Sequence, residues 1–361
     1  MARKFDIDDL ILNYDPEVPP SRFQGLGLEA MTASFDERLP RPVPWPRSSP
    51  TATPLDPPPA ETDSLAQFAG YDAVVMTWTA AEAAALAALF TPNHLPSQWY
   101  EYRHGIQEYL PLVTGGRAPF NDKQKDMARY YHSLGLYFPC TVGKARVLLF
   151  KSGLHLAYDG PAVPLKRLVG EIVQAIKPKM LITTGTAGGI GKSTALGDIA
   201  IAPVVKFDCT TQFKNEEWAR AAYRPSPLPA GALAAITPVL LSVNSSRLPG
   251  APTPKVWHGR TDAIVTTDFF GFDDSTDHFG LQGLGRVCEM GDAMVGQALQ
   301  VFPAIKWYAI RNASDPQIAN PTGNIEAANK EAGQIYTKYG PFTTAGSAIA
   351  TWAVLDATFS H

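Results

Sequence analysis

The sequence predicts an α/β fold, a three-layer α/β/α domain around a mixed, mostly parallel central sheet. Three observations predict it. Strand-length apolar runs recur, as in DAVVMTW, KARVLLFKSG, PKMLITT and IKWYAIRNASDP. Segments with helical composition or spacing lie between them, as in TAAEAAALAALF and LKRLVGEIVQAIKP. Strands alternating with helices are the pattern of a sheet covered on both faces by crossover helices. Third, residues 178–205 carry four glycines, Gly185, Gly188, Gly189 and Gly191, between two apolar runs. Glycine supplies positive φ and lets backbone N–H groups approach a ligand without a Cβ in the way. In open α/β sheets, ligands bind outside the carboxyl ends of the strands.

Bulk properties narrow the function. The chain has 361 residues, a net charge of −3 and only 18% charged residues. Neither a nucleic-acid-binding surface nor a polybasic membrane patch is expected. The opening MARKFDIDDLILNYDP lacks an uninterrupted apolar core, so no secretory signal is expected there. No run approaches the roughly 18–20 apolar residues that span a bilayer. Cys140, Cys209 and Cys288 are widely spaced and unpaired in pattern, and read as buried thiols. A soluble, cytoplasmic protein is the expectation.

Residues 1–70 are expected to be a proline-rich N-terminal arm, with a disordered tail as the alternative; the prolines, densest between Arg38 and Ala60, exclude helix and favour extended chain. Phe23, Leu28, Phe35 and Trp45 offer anchors for laying it over the domain or a neighbour. The folded domain is expected over 71–361, with inserts near 91–140 and 210–258. Its first strand, 72–78, leads into a helix that Thr79 caps, with Glu82 completing a capping box. Residues 91–140 read as irregular apart from a helical piece near 121–134. A strand follows at 144–153, then a helix at 165–178 ending at Pro178. A strand at 180–184 enters the glycine turn, and another, 198–205, leaves it. Beyond a polar stretch to about residue 260 come a strand at 262–271 and an acidic loop. A helix at 288–302, a strand at 305–316 and a closing helix at 342–359 complete the chain.

AGGIGKST at 187–194 matches the core of a phosphate-binding P-loop. Such a loop needs a helix starting at the Lys-Ser/Thr step, so that its N-terminal N–H groups face the phosphates. Only about three residues separate Thr194 from the next β-like run, so the P-loop reading fails.

GTAGGIG followed by LGDIAIAP instead resembles the nucleoside phosphorylase and nucleosidase family, whose pattern is G-[ST]-[AC]-G-G and then G-D-[IV]-V. Three further segments match in the same order. VVMTWTAAEAAAL resembles the nucleosidase strand-helix entry, where a Gly-Ala-Met-Glu-Glu-Glu run carries a catalytic Glu, here Glu82. IVTTDFFGFDD resembles I-V-S-G-D-x-F, which puts Phe270, or its neighbour Phe272, on the base, and VCEMGDAM resembles V-E-M-E-[AS]. There Glu289 and Met290 match, but the ribose-binding Glu is replaced by Gly291, with Asp292 next. Asp292, Asp273 or Asp274 would take the sugar contact, or the substrate is not an ordinary ribonucleoside. YAIRNASDP resembles V-R-x-[IV]-S-D, which makes Asp315 the partner of the purine N7 and Ser314 its orienter.

The resemblance implies cleavage of the N-glycosidic bond of a purine nucleoside. An oxocarbenium-like transition state needs the base protonated as it leaves and a nucleophile on the opposite face of the sugar. Asp315 is the expected general acid, and Glu82 the base that activates water. Thr183, Gly185, Thr186, Ala187, Gly188, Phe270, Glu289, Met290, Gly291, Asp292 and Ser314 are the expected substrate-binding residues. Phosphorylases of the hexameric class carry an Arg two residues before the first glycine, where this chain has Thr183. A hydroxyl cannot grip a phosphate dianion bidentately, which favours hydrolysis. Phosphorolysis with phosphate as co-substrate is the alternative, with Arg103, Arg117, Arg146, Arg167 or Lys192 restoring an anion site. A non-catalytic nucleoside-binding protein is the second alternative. His155, after the strand at 144–153, reads as a structural histidine, with a contact to the sugar or an acidic group as the alternative. No metal spacing is present, and the chemistry needs no cofactor. A homo-oligomer, first of all a dimer, is implied.

Overall fold

The computed structural model describes residues 43–113, 133–156, 160–244 and 253–359. The helical piece expected near 121–134, the anchors Phe23, Leu28 and Phe35, and Arg117 fall wholly or largely outside these residues. One mixed sheet of thirteen strands organises the described chain. Its strands are β1 (Pro50–Ala52), β2 (Ala73–Thr77), β3 (Tyr100–Tyr102), β4 (Gly135–Val142), β5 (Ala145–Ser152), β6 (Met180–Gly189) and β7 (Ile199–Ile201). The others are β8 (Val204–Asp208), β9 (Ala222–Tyr223), β10 (Val256–Trp257), β11 (Ala263–Thr267), β12 (Val287–Glu289) and β13 (Lys306–Asp315). The spine runs β1-β4-β5-β2-β6-β12-β11-β8-β9, and β13 pairs with β6 and β7. The block β5-β2-β6-β13 is parallel, as is β12-β11-β8. Antiparallel pairs sit where the two blocks meet, at β6-β12, and towards the edges.

Both faces of the sheet are covered, which is why its strands read as continuous apolar runs. Side chains alternate across a strand. Val74, Met76 and Leu181 therefore face one layer, with Leu165, Leu168 and Ile172 of α2 (Pro164–Ile176) and Met294 and Val295 of α4 (Asp292–Leu299). Ala73, Val75, Met180 and Ile182 face the other. There they meet α1 (Ala80–Phe90), α3 (Ala232–Asn244) and α5 (Ile325–Phe359). Hydroxyls lock α5 onto the sheet: Thr351 donates to Thr184 Oγ1 at 2.9 Å, and Ser347 donates to Asn312 Oδ1 at 2.7 Å.

Several elements depart from the sequence expectations. The glycines at 185–189 lie inside β6 rather than in a turn, because β13 holds β6 in parallel register from Met180 to Gly188 and β12 takes Gly188 and Gly189. The run 198–205 is two strands, β7 and β8, separated at Pro203, which has no N–H to donate. Residues 288–302 divide into strand β12 and helix α4. The Glu289 carboxylate accepts from the Gly291 and Asp292 N–H groups at 2.6 and 2.9 Å, so it caps the first turn of that helix. The last helix starts at Ile325 rather than at the expected 342 and runs through the Gly340-Pro341 step. Within 91–140 lies β4, and α3 lies within the long polar stretch.

Residues 43–70 are laid along the domain. Trp45 packs on Trp352 with ring centroids 4.8 Å apart, and Arg47 pairs with the buried Asp356 at 2.9 Å. β1 adds to the sheet beside β4, and Leu65 and Phe68 enter the core.

Candidate active site

A split in the sheet positions the site. On one edge of β6, β2 covers Met180–Thr183 and β12 covers Gly188 and Gly189, leaving the backbone between them open. Side chains close this gap. Thr77 Oγ1 lies 2.9 Å from the Thr184 carbonyl, and the Thr186 N–H donates to Glu82 Oε1 at 2.7 Å. A cavity of about 950 Å³, its mouth included, opens here at the carboxyl ends of β2, β6, β11, β12 and β13. This is where strand directions reverse across the sheet, the ordinary place for a ligand in such folds.

Glu82 stands at one end. It occupies the third position of α1, and its capping box with Thr79 forms as the sequence predicts. Its Oε2 accepts from Thr77 Oγ1, Trp78 N and Thr79 N at 2.6, 2.7 and 2.8 Å. Its Oε1 reaches across to Thr186, accepting from N and Oγ1 at 2.7 and 2.9 Å. One carboxylate thus caps the helix and mends the open strand edge. Gly185 is needed for this approach: its φ is +149°, and a Cβ there would overlap the Glu82 carboxylate.

Arg311, on β13, lies behind Glu82 among three carboxylates. Its Nε donates to Asp292 Oδ2 at 2.9 Å, and Nη2 donates to the other oxygen of the same carboxylate. Glu82 Oε1 and Glu289 Oε2 are each 3.5 Å away. Burial opposes the charge on Arg311, but Asp292, Glu289 and Glu82 outweigh it and keep the guanidinium protonated. Burial and the neighbouring Asp292 push the Glu289 carboxyl above the usual carboxylate range. The guanidinium also lies over the Trp78 ring, 4.9 Å from its centroid.

Asp315 stands at the other end, where β13 finishes against Gly188. Burial pushes its carboxyl up to about 7, against the opposing hydrogen bond that Ser314 Oγ donates to Oδ1 at 3.1 Å. Gly188 leaves room for it, since a Cβ there would lie 3.3 Å from Asp315 Oδ2. Thr186 and Gly188 share one face of β6, two residues or roughly 7 Å apart. The two carboxyl groups therefore address one cavity from strand positions about one sugar apart.

Of the residues singled out from sequence, Glu82, Thr186, Ala187, Gly188, Phe270, Glu289, Met290, Gly291, Ser314 and Asp315 all line this cavity. Thr183, Gly185 and Asp292 do not. Thr183 is buried between Trp307 and Tyr308, accepting from Trp307 Nε1 at 3.4 Å. Thr183 therefore cannot by itself decide between water and phosphate. Asp292 is spent on Arg311. Asp273 holds Gly191 N, Gln282 and Gln317, and Asp274 organises the turn to His278, so neither faces the cavity. Phe272 is core. Arg103, Arg146 and Arg167 pair elsewhere, with Glu101, with the Gly70 carbonyl, and with Glu108 and Glu171. Lys192 is exposed. His155 lines the cavity, and burial with Lys151 nearby pushes its imidazole down to about 3, so the ring is neutral.

The lining residues that the sequence reading did not name as site residues include Trp78, Arg311 and Tyr336. Arg311 was legible in the V-R-x-[IV]-S-D match. Tyr336 lies in the stretch of α5 before the Gly340-Pro341 step, and its hydroxyl donates to Thr79 Oγ1 at 3.3 Å. Among the described residues, no group of three or more His, Cys, Asp or Glu side chains could hold a metal ion, and no helix is long and apolar enough to cross a membrane.

Comparison with known proteins adds the following. A family model described as the phosphorylase superfamily matches residues 114–339. No curated protein matches. Among solved structures, the chain is similar to a 5′-methylthioadenosine/S-adenosylhomocysteine nucleosidase from Neisseria meningitidis in complex with methylthio-immucillin-A. Identity is 16%, covering 79% of this chain and 98% of that one, with a TM-score of 0.45. A putative nucleosidase of the same kind from Francisella philomiragia is 13% identical over 79% and 99% of the two chains, with a TM-score of 0.50. Futalosine hydrolase of Helicobacter pylori is 13% identical over 79% and 97%, with a TM-score of 0.47. At these identities the likeness is one of fold.

Proposed function

We propose that this chain, which belongs to the phosphorylase superfamily, cleaves the N-glycosidic bond of a purine nucleoside by hydrolysis. One observation carries the reading: two buried carboxyl groups, Glu82 and Asp315, address the same cavity from Thr186 and Gly188 of one strand. Asp315 is the general acid. With its carboxyl near 7 it can hold a proton at neutral pH and deliver it to N7 as the base leaves. Ser314 orients it, and Phe270 packs on the base. Glu82 Oε1, with Thr186 Oγ1 and Arg311, holds and deprotonates the water that attacks C1′ from the opposite face.

The charge of the site favours water over phosphate. Among the described residues, Arg311 is the cation lining the cavity, and Asp292, Glu289 and Glu82 surround it. A phosphate dianion would meet a guanidinium already held by those acidic groups. The test is incubation with adenosine, methylthioadenosine and inosine, with and without phosphate. Base release without phosphate is expected. Strict phosphate dependence would make the protein a phosphorylase, and binding without release would make it a nucleoside-binding protein. A homo-oligomer, dimer first, belongs to the same proposal and is checked by light scattering.

A further inference from the structure

Part of the cavity wall is the Trp78 indole edge set against Gly291. A Cβ at Gly291 would lie 3.1 Å from Trp78 Cζ2 and 3.3 Å from Cε2, so any side chain there would crowd the indole and make it shift by a few tenths of an ångström. The indole is held from its other sides. Its Nε1 donates to the Leu154 carbonyl at 3.1 Å, and Arg311 lies over its face. Three nearby polar groups are turned to other work. Glu289 caps α4 and takes the Thr266 hydroxyl, Asp292 is bidentate to Arg311, and Thr267 Oγ1 donates to the Phe269 carbonyl at 2.7 Å. A vicinal diol pressed on this wall would lose its hydration and find an aromatic edge and glycine backbone in exchange.

We infer that Trp78 and Gly291 form a specificity pair that selects a 2′-deoxynucleoside over the corresponding ribonucleoside. This inference rests on the reading of the cavity as a nucleoside site. One unpaired buried hydroxyl sets the scale of discrimination at about tenfold.

The test uses ground-state binding, because deoxynucleosides differ from ribonucleosides in intrinsic lability. 9-Deazaadenosine and its 2′-deoxy form carry a carbon–carbon glycosidic bond that the protein cannot hydrolyse, and calorimetry gives both dissociation constants. The 2′-deoxy compound is expected to bind the wild-type protein at least tenfold more tightly. Trp78→Phe, which keeps an aromatic in the core but shortens the wall, is expected to narrow the ratio to threefold or less. Equal affinities, a preference for the ribo compound, or no binding of either to the wild-type protein would overturn the inference. So would a ratio unchanged in Trp78→Phe. Failure of the enzymatic reading registers differently: the C-nucleosides would bind with the predicted preference while adenosine and 2′-deoxyadenosine both stay intact.

Discussion

Replacing Asp315 with Asn keeps the shape of the side chain and removes its proton. In the folded protein burial holds the carboxyl near 7, against an ordinary value of 3.8. At pH 7 about half the molecules carry the proton, and at pH 9 about one in a hundred. As general acid, Asp315 then gives the wild-type rate an alkaline limb, flat below about pH 6 and falling about tenfold per unit above pH 7. Asn cannot supply the proton, so the rate at pH 6 drops about 10²–10⁴-fold and the alkaline limb disappears. The same shift makes a stability prediction. Between about pH 4 and pH 7 the folded state holds a proton that the unfolded state has released, so stability falls as pH rises through this window. Three units correspond to about 4 kcal/mol as an order of magnitude. Asn escapes this loss, so its stability relative to wild type should rise by several kcal/mol from pH 4 to pH 8. Chromatographic base release across pH 5–9 and scanning calorimetry at matched pH measure the two effects. Retention of more than a tenth of the wild-type rate, or an alkaline limb that persists in the Asn variant, would refute the general-acid reasoning.

Glu82→Gln must turn one amide NH2 towards a backbone N–H, because Oε2 faces Trp78 and Thr79 and Oε1 faces Thr186. It should lose about 1–3 kcal/mol of stability in denaturant titration and at least a hundredfold in rate. Lost stability with full activity would reduce Glu82 to a cap. Gly185→Ala puts a Cβ into the Glu82 carboxylate from a backbone at φ +149°, and should lower Tm by several degrees and abolish turnover together. Trp45→Ala removes the ring contact with Trp352, and neither residue lines the cavity. It should cost about 1–2 kcal/mol in calorimetry and leave kcat unchanged.

The strands and helices around the site were legible because burial on both faces leaves long apolar runs, and because Thr79 and Glu82 make a local cap that needs no tertiary context. The site motifs were legible for the same reason the sheet needs them: glycine wherever a carboxylate must approach backbone, as at Gly185 and Gly188. What was not legible depends on partners distant in sequence. Nothing local says that Thr183 turns into the core under Trp307, or that Asp292 is consumed by Arg311 nineteen residues later. β4 escaped notice because it carries Pro139 and follows an irregular stretch, yet it is pinned by β5 over its whole length. The closing helix begins at Ile325 rather than at 342, and hydroxyls along α5 tie it to the sheet beyond the Gly340-Pro341 step.

Phosphorus NMR of the reaction with adenosine or 2′-deoxyadenosine in phosphate buffer tests the central claim most directly. With Glu82 and Asp315 driving attack by water, free base and free sugar should accumulate while inorganic phosphate remains the single phosphorus signal. Appearance of a sugar 1-phosphate in step with the released base would contradict the account.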